Sequence, residues 1–149
     1  MNNMYAKINH ILATGFYSGK IKLAPGTAGS ILALGLLYIF PALNSPVSIF
    51  LFIITGVYIC HYEAQRTGIK DKGEVVFDEI TGIFLTFLNI PLTPVNIVAG
   101  FFLFRLFDIW KPGPINTSQQ LPSGLGVMAD DLLAALISLL IMNIYIYFI

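Results

Sequence analysis

All sixteen charged side chains of this chain fall in three short stretches, and the long apolar runs between them carry none. Lys7, Lys20 and Lys22 form the first stretch. Glu63, Arg66, Lys70, Asp71, Lys72, Glu74, Asp78 and Glu79 form the second, and Arg105, Asp108, Lys111, Asp130 and Asp131 the third. A charge at the centre of a bilayer costs about 2.5–3.5 kcal/mol on insertion scales. Sorting of this kind is what a membrane-embedded chain requires and a water-soluble one does not. Charged residues make up 11% of the sequence, less than half of the roughly 25% usual in soluble domains. Acids and bases balance, so bulk charge predicts no nucleic-acid partner.

The 149 residues suit one domain, residues 1–149. Cys60 is the only cysteine, which excludes an internal disulfide framework and any cysteine-cluster metal site. A spanning helix needs about 20 apolar residues, and residues 23–62 are uncharged throughout. That run predicts two short passes, Ala28–Phe40 and Val47–Tyr62, with a turn at Pro41–Pro46. Residues 80–104 are also uncharged, and two readings compete there. One helix crosses, or two arms, Ile80–Leu88 and Val95–Trp110, turn at Asn89–Asn96, where two prolines and two asparagines interrupt helical bonding. A single crossing would put Asp108 and Asp131 on the opposite face from Asp78. The re-entrant pair of arms brings every carboxylate to one face and is the favoured reading. The final run, Leu132–Ile149, spans once and ends in the aromatic belt Tyr145, Tyr147 and Phe148. The fold class is therefore all-α: a small polytopic membrane bundle with short or re-entrant helices. All lysines and arginines lie on one side, which the positive-inside rule makes cytoplasmic.

Three constellations carry chemistry. Asp71, Glu74, Asp78 and Glu79 crowd ten residues just before an apolar helix. A favourable helix dipole accounts for one or two of these acids but not for four. Asp108 sits near the C-terminal end of its arm, where the dipole disfavours an anion, and Arg105 lies three residues earlier on the same helical face. An Arg105–Asp108 ion pair is the simple account. A carboxylate held for a cation, with Arg105 or Lys111 free for an anion, is the functional one. Lys111-Pro112-Gly113-Pro114 ends that arm abruptly. Asp130-Asp131 opens the last helix after Gly124-Leu-Gly126; one aspartate can cap, and the second points elsewhere, at a metal. Mg²⁺ prefers oxygen ligands, taking about one or two protein carboxylates together with waters and substrate phosphate. Pro25-Gly26-Thr27-Ala28-Gly29-Ser30 precedes the first spanning helix and offers free amides plus the Thr27 and Ser30 hydroxyls as a phosphate cradle. It is not a Walker A loop. His10 and His61 read as interfacial or packing residues.

Five blocks in order resemble the phosphatidylglycerophosphatase A family: His10-Ile-Leu-Ala-Thr-Gly15-Phe16, Ala24-Pro-Gly-Thr-Ala-Gly-Ser30, Asp71-Lys-Gly-Glu-Val-Val-Phe-Asp78-Glu79-Ile-Thr-Gly82, Phe104-Arg-Leu-Phe-Asp-Ile-Trp-Lys-Pro112 and Gly124-Leu-Gly-Val-Met-Ala-Asp130-Asp131. They cover about residues 8 to 140. The resemblance implies a Mg²⁺-dependent lipid phosphatase of the bacterial inner membrane that converts phosphatidylglycerophosphate to phosphatidylglycerol. The family's acidic motif falls on Asp71, Asp78 and Glu79, its Arg-x-x-Asp-x-x-Lys-Pro motif on Arg105, Asp108, Lys111 and Pro112, and its closing pair on Asp130 and Asp131. Gly113 and Ser123 depart from the family pattern.

The expected site follows. Asp71, Asp78, Glu79, Asp108, Asp130 and Asp131 hold one or two Mg²⁺ ions, and all but Asp130 are also assigned to catalysis. Lys20, Lys22, Thr27, Ser30, Arg105 and Lys111 contact the lipid phosphate. Water activated by metal is one chemistry, and an aspartyl-phosphate is the alternative. Two rival functions are a phospholipid-headgroup transferase, whose spaced Asp-Gly-x-x-Ala-Arg pattern is missing, and a non-catalytic membrane component, which would need polar residues at mid-bilayer. The sequence gives no oligomeric state.

Overall fold

Four prolines set where helices begin. The computed structural model describes residues 3–148, all-α among those residues, with helices α1 (Asn3–Ala13), α2 (Pro25–Ile39), α3 (Pro46–Thr67), α4 (Phe77–Thr86), α5 (Pro94–Trp110), α6 (Pro114–Ser118) and α7 (Ser123–Phe148). Pro25, Pro46, Pro94 and Pro114 each open a helix, where a missing N–H costs nothing and the fixed φ suits the first turn. Ser45 and Thr93 cap two of these starts, their hydroxyls accepting from the N–H groups of Ser48 and Asn96 at 3.2 Å. Gly68 ends α3 in the left-handed region at φ 72° and donates to the Ala64 carbonyl. Single 3-10 turns occupy Ser18–Lys20 and Pro41–Leu43.

Helix α4 is the centre. Almost every residue from Phe77 to Thr86 is buried, and α2, α3, α5 and α7 all pack against it. Phe52 of α3 stacks on Phe77 at 5.6 Å and meets Phe84 edge-on at 4.9 Å. Two glycines let α4 and α5 close on each other. A methyl group on Gly82 would run into the Phe104 ring at 2.5 Å, and one on Gly100 into the Phe87 ring at 2.6 Å. Each ring occupies the space the opposite glycine leaves.

Two helices, Pro46–Thr67 and Ser123–Phe148, are long and apolar enough to cross a membrane, and α2 is a shorter apolar helix. Their outward faces carry large exposed apolar side chains, among them Phe50, Ile54 and Tyr58 on α3 and Leu140, Ile144 and Tyr147 on α7. Such a surface suits lipid rather than water. By contrast, α4 has ten residues and is only about 15 Å long, half of the roughly 30 Å hydrocarbon core. Residues 80–104 are two helical arms joined by a turn, not one helix. Asn44, in the α2–α3 turn, donates to the Phe87 carbonyl at 2.8 Å in the α4–α5 turn. Both uncharged turns thus meet at one end of the molecule, and the charged ends of α4 and α5 lie together away from it.

The structure corrects several boundaries. Helix α3 runs five residues past the predicted end at Tyr62, because Glu63 is buried against α1 instead of marking a water-exposed break. Asp130 and Asp131 do not open the last helix. It begins at Ser123, so both lie two turns inside it and neither caps. Gly124 and Gly126 are helical because they pack closely: a methyl group on Gly124 would strike the Val57 carbonyl and lie 2.5 Å from the His61 N–H nitrogen of α3. Ile149, the predicted end of the last span, lies outside the described residues.

A matched pair of substitutions tests this packing. Gly124→Ala should lower the thermal unfolding midpoint in detergent, since the obstacle is backbone and overpacking costs roughly 1–3 kcal/mol. Gly35→Ala has nothing within 4 Å of the added methyl and should raise stability by roughly 0.5–1 kcal/mol. Equal midpoints for the two variants would contradict the close α3–α7 contact.

Candidate active site

Three carboxylates meet where α4 and α7 pack. Asp78 and Glu79 stand in the first turn of α4, as the sequence predicts, and Asp131 faces them from α7. Each offers an oxygen within 4.8 Å of the others. Asp108 lies beside Asp131, and its carboxylate accepts from Arg105 at 2.5 Å with Lys111 3.8 Å away. Arg105 also lies 4.0 Å from Glu79. Lys111 pairs with Asp130, which accepts a second bond from the Gln119 amide at 2.8 Å. Two cations therefore bridge three acids, Glu79, Asp108 and Asp130. Burial acts to lower the Lys111 pKa, but the Asp130 hydrogen bond and the surrounding carboxylates outweigh it and hold the ammonium above its ordinary value.

The six acids expected around a metal separate into distinct settings. Asp78, Glu79 and Asp131 form the cluster. Asp108 and Asp130 are buried and ion-paired. Asp71 is exposed and lines a separate cavity of about 200 Å³ with Lys70, Gln119, Gly126, Val127 and Asp130. One oxygen each of Asp78, Glu79, Asp130 and Asp131 is buried with no hydrogen-bond partner. Buried carboxylate oxygens without donors are costly. An all-oxygen set of this kind fits a hard divalent cation, which supplies the missing positive charge.

The glycine-rich start of α2 reaches the same place. A methyl group on Gly26 would collide with Glu79 Oε1 and lie 2.9 Å from Arg105 Nη1. The α2 N-terminus has no side-chain cap, and Thr27 is half-buried in its first turn. Ser30 is different: it is fully buried, and its hydroxyl donates to the Gly26 carbonyl at 2.8 Å. Its proton is thus committed within α2, and the side chain is enclosed. Lys20 and Lys22 are exposed and line an open cleft of about 510 Å³ with Pro25 and Glu74.

Some residues escaped the sequence reading. Gln119 gave no signal there, yet it orients Asp130. Glu63 is 1% exposed and accepts from Asn9 at 3.1 Å and Arg66 at 2.7 Å, with His10 at 3.6 Å. This network fastens α1 to α3. No feature of the sequence alone signals this pairing, since its partners lie more than fifty residues apart. His61 is exposed, its ring nitrogens 2.8 Å from the Ser123 hydroxyl and 3.0 Å from the Gln65 amide.

Gly26→Ala isolates the site from the fold. The struck atom is the far end of the flexible Glu79 side chain, so the protein should fold with an unchanged unfolding midpoint. Displacing the Glu79 carboxylate should weaken Mn²⁺ binding, followed by electron paramagnetic resonance, by roughly 10–100-fold, the range for a disturbed ligand support. Undiminished binding would detach Gly26 from the site.

Comparison with known proteins shows the family. A family model described as phosphatidylglycerophosphatase A matches residues 11–146. A protein of that name from Escherichia coli (strain K12) is 38% identical over 87% of this chain and 78% of its own length. Another from Haemophilus influenzae (strain Rd) is 39% identical over 94% and 93%. A protein from Bacteroides thetaiotaomicron named putative phosphatidylinositol-3-phosphatase is 33% identical over 90% and 91%. No solved structure matches the chain. The matched region takes in every acid of the cluster and both bridging cations, and on that extent of agreement the chain belongs to the phosphatidylglycerophosphatase A family.

Proposed function

We propose that this chain removes the terminal phosphate of phosphatidylglycerophosphate, leaving phosphatidylglycerol, at the cytoplasmic surface of the bacterial inner membrane. The observation that carries the reading is the set of partnerless buried oxygens on Asp78, Glu79, Asp130 and Asp131 beside Arg105 and Lys111. Carboxylate oxygens that lack a donor stand next to cations that a phosphate can share.

Asp78, Glu79 and Asp131 are the residues to hold Mg²⁺. When bound, the ion neutralises phosphate charge and lowers the pKa of a bound water. The remaining work belongs to the chain. Arg105, braced by Asp108, and Lys111, braced by Asp130, point fixed positive charge at the phosphate oxygens and stabilise charge as the ester bond breaks. The first amides of α2, with the Thr27 hydroxyl, add donors at a helix N-terminus. Asp71 stands at the exposed rim. Lys20 and Lys22 approach the headgroup from the open cleft. The acyl chains stay in the bilayer against the apolar helix faces. We assign the side by the positive-inside rule, since the uncharged turns at Asn44 and Phe87 share the opposite end; the length and apolar character of α3 and α7 support multi-pass insertion.

Inorganic phosphate released from phosphatidylglycerophosphate by the purified chain in detergent is the test. Chelation should abolish release and Mg²⁺ restore it. Asp78→Asn and Asp131→Asn should each cut kcat by about 10²–10³-fold, the scale for losing one preorganised charge-stabilising group, with the unfolding midpoint preserved. Wild-type turnover in either variant would remove these carboxylates from the mechanism.

A further inference from the structure

Lys20 and Lys22 share one cleft. Among the described residues, neither has a carboxylate within ion-pair distance; the same is true of Lys7 and of Lys70, whose ammonium instead bonds the Gln119 and Leu121 carbonyls, whereas Arg66, Lys72, Arg105 and Lys111 are paired. Both face the cleft of about 510 Å³. Glu74 is the one acid on its wall, and Lys72 holds it at 2.5 Å. The Lys20 ammonium is positioned 4.5 Å above the Tyr17 ring.

The surrounding chain puts this cleft at the lipid headgroups. Phe16, Tyr17, Ile21 and Leu23 are exposed, Leu23 by 96%, and they alternate with the two lysines. Apolar side chains interleaved with lysines lie at a membrane interface, the former in the acyl boundary and the latter at the phosphates. Pro25 is the inner wall of the cleft. The next residue, Gly26, abuts Glu79 and Arg105. Cleft and acidic cluster are thus neighbouring compartments, separated by backbone whose adjacent Cα atoms are about 3.8 Å apart.

We propose that Lys20 and Lys22 form a subsite for the phosphodiester of the lipid headgroup, while the acidic cluster takes the terminal phosphomonoester. The subsite rests on the function proposed above and sharpens it: the chain selects lipids that carry both groups, one short alcohol apart. The substrates named for the relatives share that pattern, each having a phosphodiester to diacylglycerol and a phosphomonoester further out. A diacylglycerol bearing a single phosphomonoester would leave the lysine cleft empty.

The experiment compares kcat/KM for phosphatidylglycerophosphate and for diacylglycerol monophosphate in neutral maltoside micelles, using the full chain. Lys20→Ala/Lys22→Ala should lower kcat/KM for the first lipid by about tenfold or more through KM, the size of one charge-assisted hydrogen bond. The preference for the first lipid over the second should shrink by the same factor. Lys20→Arg/Lys22→Arg should restore it. An unchanged preference ratio in the folded double-alanine variant overturns the subsite. So does a loss confined to anionic vesicles and equal for both lipids, which would make the lysines a grip on bulk lipid phosphodiesters. Binding of phosphatidylglycerol, which has the diester alone, is measured separately by native mass spectrometry. It should weaken about tenfold in the double-alanine variant, and equal binding also overturns the subsite. Wild-type protein that hydrolyses neither lipid defeats the phosphatase reading, and the binding arm still decides the subsite.

Discussion

Asp78, Glu79 and Asp131 bring oxygens within 4.8 Å of one another where water scarcely reaches, and the rest of the molecule is arranged against their mutual repulsion. Two like charges about 4 Å apart repel by about 4 kcal/mol at an effective dielectric of 20. Nothing in the carboxylates themselves keeps them together. The apolar packing of α4 does so from one side, through Phe77, Phe84 and the aromatic-glycine contacts with α5. Helix α7 does so from the other. Arg105 and Lys111 offset part of the repulsion by each serving two acids. What they leave unsatisfied is a set of bare oxygens, and that residual demand for positive charge is the chemical potential of the site.

Much of this was legible from residue order. Charge sorting gave the helical class, and the Asn-Pro cluster at residues 89–96 marked the turn between two arms. The acids of the α4 first turn and the abrupt stop at Lys111 also stood where the sequence put them, the latter because Lys111 enters the left-handed region at φ 48° before Pro112. Hydropathy and propensity speak to single elements, and these features are local.

The misreadings concern contacts between elements. Gly124 and Gly126 look like a loop in isolation, since glycine disfavours a helix interior. Here the small residues serve close approach of α7 to α3 and to the segment at Gln119–Leu121, so packing overrides propensity. Glu63 looks like the first residue in water after a span, yet Asn9 and Arg66 make its burial affordable. Helix α1 is too short and too polar to stand out as an apolar run, and it is held by its contacts with α3. Ser30 had the right chemistry for an anion but spends it on the carbonyl one turn back.

Because Asp130 and Asp131 lie two turns inside α7 and not at its tip, they are carried by one of the two elements long enough to traverse the bilayer. A rigid rod has no slack along its axis. Sliding α7 by one residue would carry these aspartates about 1.5 Å along its axis, yet α7 is packed along α3, α4 and α5. Any fit of α7 to the thickness of a hydrocarbon layer is therefore shared by the whole bundle, and the register of the two halves of the acidic cluster is kept by that packing.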